Sequence, residues 1–197
     1  SIKLINKAYK GNKTIAVVSQ KDDKIEDPGF DDIFKIGTIG FILKVLRMPD
    51  GNTTVIIQGK RRCEIKEIVT QSPYLIGKVD HLPENRPKKN KNYNALMSSI
   101  KDLALKIIKE SPNIPSEASF AIKNIESQAF LINFIGSNLN IETNEKQLLL
   151  EDGLIEERAL KVLGHLTKEL QMLELKNQIQ SKVKTDIDNQ QREYFLN

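Results

Sequence analysis

The chain has 197 residues, 39% of them hydrophobic, with 30 Lys and Arg set against 26 Asp and Glu for a net charge of +4. That length allows one or two domains with a packed core, no apolar run approaches the ~18 residues of a membrane span, and the opening Ser1-Ile2-Lys3-Leu4-Ile5 lacks signal-peptide organisation. Cys63 is the sole cysteine, which excludes an internal disulfide and a cysteine-built zinc site and fits a reducing compartment, while the mild basicity permits nucleic-acid binding without arguing for it.

All seven prolines lie at or before Pro115, and seven of the ten glycines lie before Pro83. Strands and turns are therefore expected first and helices afterwards. Ile2, Leu4, Ile5 and Ala8 fit a short helix ending at Gly11-Asn12. Thr14-Ile15-Ala16-Val17-Val18 is β-branched and suits a buried strand. Residues 21–30 form a charged loop containing Pro28-Gly29. Residues 36–46 are apolar, and Gly37 and Gly40 among them predict a bend or bulge, as at a barrel corner. In Met48-Pro49-Asp50-Gly51-Asn52, Pro presets the first turn position and Gly follows where φ turns positive, so residues 41–58 read as a hairpin. Cys63, Ile65, Ile68 and Val69 continue the strand pattern, and residues 75–79 add another strand. Five short strands at this spacing predict a small antiparallel barrel or curled sheet.

Residues 84–92 are polar and proline-flanked and read as an exposed connector. Ala95, Leu96, Ile100, Leu103, Ala104, Ile107 and Ile108 then recur at helical spacing, and Ser111-Pro112 ends that helix. Residues 118–125 and 129–139 give two shorter helices, and Thr143 is the expected N-cap for residues 144–151. A final helix starts near Gly153; some 45 residues would extend about 65 Å. Leu163, Leu166, Leu170 and Leu173 are expected to pack on the bundle. Ile179, Val183 and Ile187 step by four, with Tyr194 one heptad beyond, a thinner stripe predicted to project and meet a partner helix or another copy of the chain. The last residues complete no helix cap, so the helix is expected to continue in a longer polypeptide. The predicted class is α+β: a barrel-like subdomain over 1–83, a linker over 84–92, a helical bundle over 93–152 and a long exit helix over 153–197.

Catalytic signatures fail on spacing. Gly59-Lys60 is followed by Arg61 and has no glycine at the offset a phosphate-cradling loop requires, and no G-x-G-x-x-G occurs. His81 and His165 stand alone and read as surface or partly buried side chains. Arg61 and Arg62 beside Cys63 would lower a thiol pKa, yet a structural cysteine is the favoured reading. Asp22-Asp23 and Asp31-Asp32 are adjacent loop carboxylates that do not converge on one substrate. No residue is assigned to catalysis, to a cofactor or to a metal.

The segments that carry identity are spread along the chain. Gln191-Arg192-Glu193-Tyr194-Phe195-Leu196 resembles the QREYxL segment that precedes the ATPase module of the ATP-dependent Lon protease family. Lys146-Gln147-Leu148-Leu149-Leu150-Glu151 is similar to that family's K-Q-x-L-L-E helix start, and Gly37-Thr38-Ile39-Gly40 with Leu46-Arg47-Met48-Pro49-Asp50-Gly51 resembles its long hairpin. Gly59-Lys60-Arg61-Arg62 resembles the following turn, although Gln58 stands where the family often has Glu. The family's opening Phe-Pro-Leu-Arg-like strand has no counterpart, so an open sheet edge is expected.

The resemblance implies a PUA-like barrel and a non-catalytic N-terminal module that recognises unfolded or damaged proteins and aids assembly of a hexameric protease. ATP and Mg would belong to an ATPase module, and the Ser-Lys dyad to a protease module, both absent from this sequence. Location in the bacterial cytoplasm is implied, with the mitochondrial matrix as the alternative and no membrane partner. Recognition requires an apolar surface, and Phe30, Ile33, Phe34, Met48 and Pro49, on a charged loop and a hairpin tip, are the candidates. Two alternatives remain open. One is weak nucleic-acid binding by Arg61, Arg62 and the 86–91 basic run, which lacks aromatic interleaving except for Tyr93. The other is a purely structural oligomerisation spacer.

Overall fold

The computed structural model describes residues 2–196 except 86, 88 and 89. Helix α1 (Ile2–Lys10) precedes strands β1 (Thr14–Val17), β2 (Ile36–Arg47), β3 (Thr53–Thr70) and β4 (Ile76–His81). Helices α2 (Lys91–Glu110), α3 (Glu117–Asn124), α4 (Gln128–Asn138), α5 (Thr143–Glu151) and α6 (Ile155–Leu196) follow. The chain divides into two compact units, Ser1–Arg86 with Glu142–Leu154, and Pro87–Ile141 with Ile155–Asn197.

In the first unit the strands form one antiparallel sheet in the order β1-β2-β3-β4. Four strands stand where five were expected, because residues 53–58 and 61–69 run on as one 18-residue strand through Gly59. The register between β2 and β3 shifts at Ile39/Gly40 and at Ile42/Lys44, and that between β3 and β4 shifts twice more. Each such bulge bends and twists its strand. Gly37 has a specific reason to be glycine. A Cβ there would collide with the Val17 carbonyl oxygen of β1 and sit 2.5 Å from Val18 Cγ1. Ile33, Ile42, Cys63, Ile65 and Leu149 are the buried apolar residues of this unit.

The expected bundle ended at residue 152, but α5 belongs to the sheet unit. It lies on β2, where the buried Gln147 donates from Nε2 to the Ile36 carbonyl at 3.0 Å. Its N-cap is Glu142 rather than Thr143, and the Glu142 N–H donates to the Glu145 carboxylate at 3.3 Å.

The second unit is helical. Buried residues on α2 fall at Tyr93, Met97, Ile100, Ala104 and Ile107, alternating steps of four and three, the spacing that keeps one helix face against another. They meet a matching stripe on α6: Ile155, Ala159, Val162, Leu166 and Leu170. Asn90 caps α2 by accepting from the Tyr93 N–H at 2.7 Å. Arg158 of α6, buried, donates from Nη1 to Asn133 Oδ1 of α4 at 2.7 Å. Lys106 of α2 and Glu174 of α6 form an ion pair at 2.8 Å, about half exposed and therefore worth little. From Lys176 to Leu196 every side chain is exposed. At 1.5 Å per residue that solvent-exposed half of α6 extends about 30 Å.

Candidate functional site

The hairpin joining β2 to β3 is built locally. The Met48 N–H donates to the Asn52 carbonyl at 2.8 Å, and the Gly51 N–H donates to the Met48 carbonyl at 3.0 Å. Gly51 has φ of +86°, a left-handed conformation that favours glycine. Asp50 accepts from the Asn52 backbone and side-chain N–H groups, and the backbone bond leads in holding its carboxyl below the ordinary range. The tip is thus ordered while Met48 and Pro49 both face solvent. Along the same hairpin Leu43 is 50% exposed and Ile56 44%, as is Met48. Ile57 is also exposed, and because it follows Ile56 directly on β3 it faces the opposite side of the hairpin. Sequence reasoning named only its tip. Leu43 is the residue left unpaired where the register shifts between Ile42 and Lys44.

The loop candidates behave differently. Ile33 is 2% exposed and part of the core, so it offers no surface. An isolated bridge between Gln20 and Ile33 pairs the two ends of this loop with each other. Phe30 is half-buried, with Lys35 Nζ 3.0 Å from its ring centroid and bonded to its carbonyl oxygen. Phe34, also half-buried, donates its N–H to the Ser19 carbonyl at 2.9 Å. Only Met48 and Pro49 of the five candidates are exposed.

The basic cluster divides between neighbours. Arg61 is exposed, but Arg62 is 7% exposed and turns inward. Arg62 Nη1 donates to the Leu150 carbonyl at 2.8 Å and to the Asp152 carbonyl at 3.0 Å. These are carbonyls at the C-terminus of α5, where the helix leaves them without intrahelical donors and where a cation is electrostatically favoured. Arg62 is thus a latch between β3 and α5 and is withdrawn from any phosphate. Residues 86, 88 and 89 of the 86–91 run lie outside the described residues. Cys63 is fully buried, and burial pushes its thiol up rather than activating it. His81, exposed on β4, and His165, half-buried on α6, fall in different units. Among the described residues no group of three or more His, Cys, Asp or Glu side chains is placed to hold a metal, and no helix is long and apolar enough to cross a membrane. On α6, Ile179, Val183, Ile187 and Tyr194 are all exposed, Tyr194 at 83%.

A family model described as the ATP-dependent protease La (LON) substrate-binding domain matches residues 1–168. The Lon protease of Flavobacterium johnsoniae is 59% identical over 197 residues, which is all of this chain and 24% of that protein. The Lon protease of Cytophaga hutchinsonii is 50% identical, with the same coverage of 100% and 24%. Two solved structures share the fold. The N-terminal domain of Mycobacterium avium complex Lon protease gives a TM-score of 0.60 at 19% identity, covering 78% of this chain and 90% of that one. The Lon N-terminal domain protein from Xanthomonas campestris gives 0.57 at 14% identity, covering 83% and 82%. The chain spans about a quarter of the length of the curated relatives it matches, and their catalytic modules are not in it. Identity at this level along the whole chain, a matching domain model and a shared fold agree: the chain belongs to the Lon protease family, in which it represents the substrate-binding domain.

Proposed function

We propose that this domain captures exposed apolar segments of unfolded or damaged proteins and that the hairpin between β2 and β3 is a contact surface for them. The observation that carries the reading is an ordered hairpin holding Leu43, Met48, Ile56 and Ile57 in solvent within a domain of the substrate-binding class. Burying one of these half-exposed side chains contributes about 1 kcal/mol, and since Ile56 and Ile57 face opposite sides a single bound segment covers only some of the four. Such a gain is below the association cost of about 4–15 kcal/mol. A single domain therefore binds weakly, and several copies on one assembly would raise the effective concentration. Assembly is the second part of the proposal. Ile179, Val183, Ile187 and Tyr194 supply an exposed stripe on α6 suited to a partner helix, through which capture would be coupled to the ATP-driven modules of a full-length protease in the bacterial cytoplasm.

The test is binding of the 197-residue chain to a labelled, permanently unfolded protein at low and moderate salt, with single-stranded DNA for comparison. Binding that survives salt and weakens about five-fold or more in Met48→Ser is expected from losing one buried apolar contact. Binding to DNA alone, collapsing with salt, would overturn the reading. For assembly, Ile187→Asp should reduce concentration-dependent association in sedimentation experiments. An unchanged association state would exclude the α6 stripe as the contact.

A further inference from the structure

Residues 127–141, Ser-Gln-Ala-Phe-Leu-Ile-Asn-Phe-Ile-Gly-Ser-Asn-Leu-Asn-Ile, contain no charged side chain in a protein that is 28% Asp, Glu, Lys and Arg. Most of that stretch is α4, whose Leu131, Ile132 and Ile135 are buried in the helical unit. On the rest of the helix Phe130 is 55% exposed and stacks on Phe134, with ring centroids 6.2 Å apart and planes 23° from parallel. On the preceding α3, Phe120 is 73% exposed. Folding does not account for these positions. Phe is a middling helix former, the N-terminus of α4 is already capped by Ser127 Oγ accepting from the Phe130 N–H at 3.3 Å, and the core of the unit is filled by other residues. Aromatic enrichment with depletion of charge is instead the composition of an interface core.

We propose that the uncharged aromatic face of α4, with Phe120 beside it in sequence, is a second docking surface whose occupant is a short, uncharged apolar segment of an unfolded chain. The inference rests on the substrate-capture reading above and adds a site in the other unit. The size of the face selects the occupant. Phe120 and Phe130 each expose only part of an aromatic residue, which buries about 150–250 Å² when whole, against about 800 Å² per partner in a stable protein–protein interface. One or two side chains of an extended segment match that area; a folded second copy does not. The offset Phe130–Phe134 pair leaves ring surface for a third apolar group. With no cation on α4, an acidic segment or a phosphate backbone gains nothing there.

The test uses the 197-residue chain and a fluorescein-labelled peptide of Phe, Leu, Ser and Gln residues, with the same peptide in which Ser replaces Phe as control. Phe130→Ser and Phe120→Ser should each weaken binding about three- to ten-fold, the effect of losing one aromatic contact. Phe130→Tyr should bind nearly as the unaltered chain does, and the midpoint of thermal unfolding followed by circular dichroism should not change in Phe120→Ser and should fall only slightly in Phe130→Ser, which loses the stack on Phe134. Combined with Met48→Ser, the losses should multiply as for independent contacts. Loss in Met48→Ser with none in either Phe variant would overturn this site while leaving the hairpin reading intact. Loss in the Phe variants with none in Met48→Ser would support this site and remove the hairpin. A dimer of the unaltered chain that Phe130→Ser dissociates would also overturn the proposal, by showing the face to be a contact between copies.

Discussion

Replacing Arg62 with Met keeps most of the side-chain volume and removes the guanidinium that joins β3 to α5. The hydrogen bonds to the Leu150 carbonyl at 2.8 Å and the Asp152 carbonyl at 3.0 Å are lost. A hydrogen bond from a charged donor contributes about 1.5–3 kcal/mol, so these two together contribute about 3–6 kcal/mol. Leu150 and Asp152 are half-buried, so water can reach the vacated carbonyls, and the lower end, about 3 kcal/mol, is expected. Arg62→Lys keeps the charge but loses the planar fork, and should recover about half of that. Urea unfolding gives the global change. Hydrogen exchange localises it, with amides of Glu142–Leu154 exchanging faster while those of α2, in the other unit, change less. An Arg62→Met protein within about 0.5 kcal/mol of the original, with unchanged exchange in α5, would refute the latch, because surface substitutions away from such features fall in that range. Loss of DNA binding at unchanged stability would refute it as well, and would return Arg62 to the surface.

Gly37→Ala should be costlier than its single methyl group suggests. The new Cβ meets backbone oxygen of β1 as well as Val18 Cγ1 at 2.5 Å, so β1 must move away from β2. A loss of about 3 kcal/mol or more is expected in urea unfolding, and a neutral outcome would show that the strand edge gives way easily. Cys63 should react slowly with a thiol reagent at about pH 8 and rapidly once denaturant is added, since the folded thiol is buried and its pKa raised. The same shift sets a pH dependence. The unfolded chain ionises first as pH passes the ordinary value of 9.0. Stability contributed by the neutral thiol is therefore present below that value and lost as pH rises toward the folded pKa. A Cys63→Ala protein with the same alkaline decline would remove the thiol as its cause.

Several features were legible in the sequence because their signals are local. The stripes on α2 and the first half of α6 repeat every three or four residues, and a helix converts that spacing directly into a buried face. The hairpin tip was equally legible, since Pro49 and Gly51 restrict φ by themselves, whatever surrounds them. Identity was carried by short segments such as residues 146–151, yet the resemblance could not say why Gln147 belongs there; the structure places its amide on the Ile36 carbonyl of β2. Other features depend on partners far away in the chain. Neighbouring Arg61 and Arg62 look alike in sequence, but strand alternation sends them to opposite faces, and the carbonyls that receive Arg62 lie 88 and 90 residues further on. Ile33 and Phe130 are both apolar residues in short helical or loop segments, and the tertiary structure buries the first and exposes the second. Composition and periodicity determine which faces exist and how the backbone turns; burial and exposure are settled only when non-local segments meet, because solvent exclusion belongs to the assembled surface and not to any one stretch of chain.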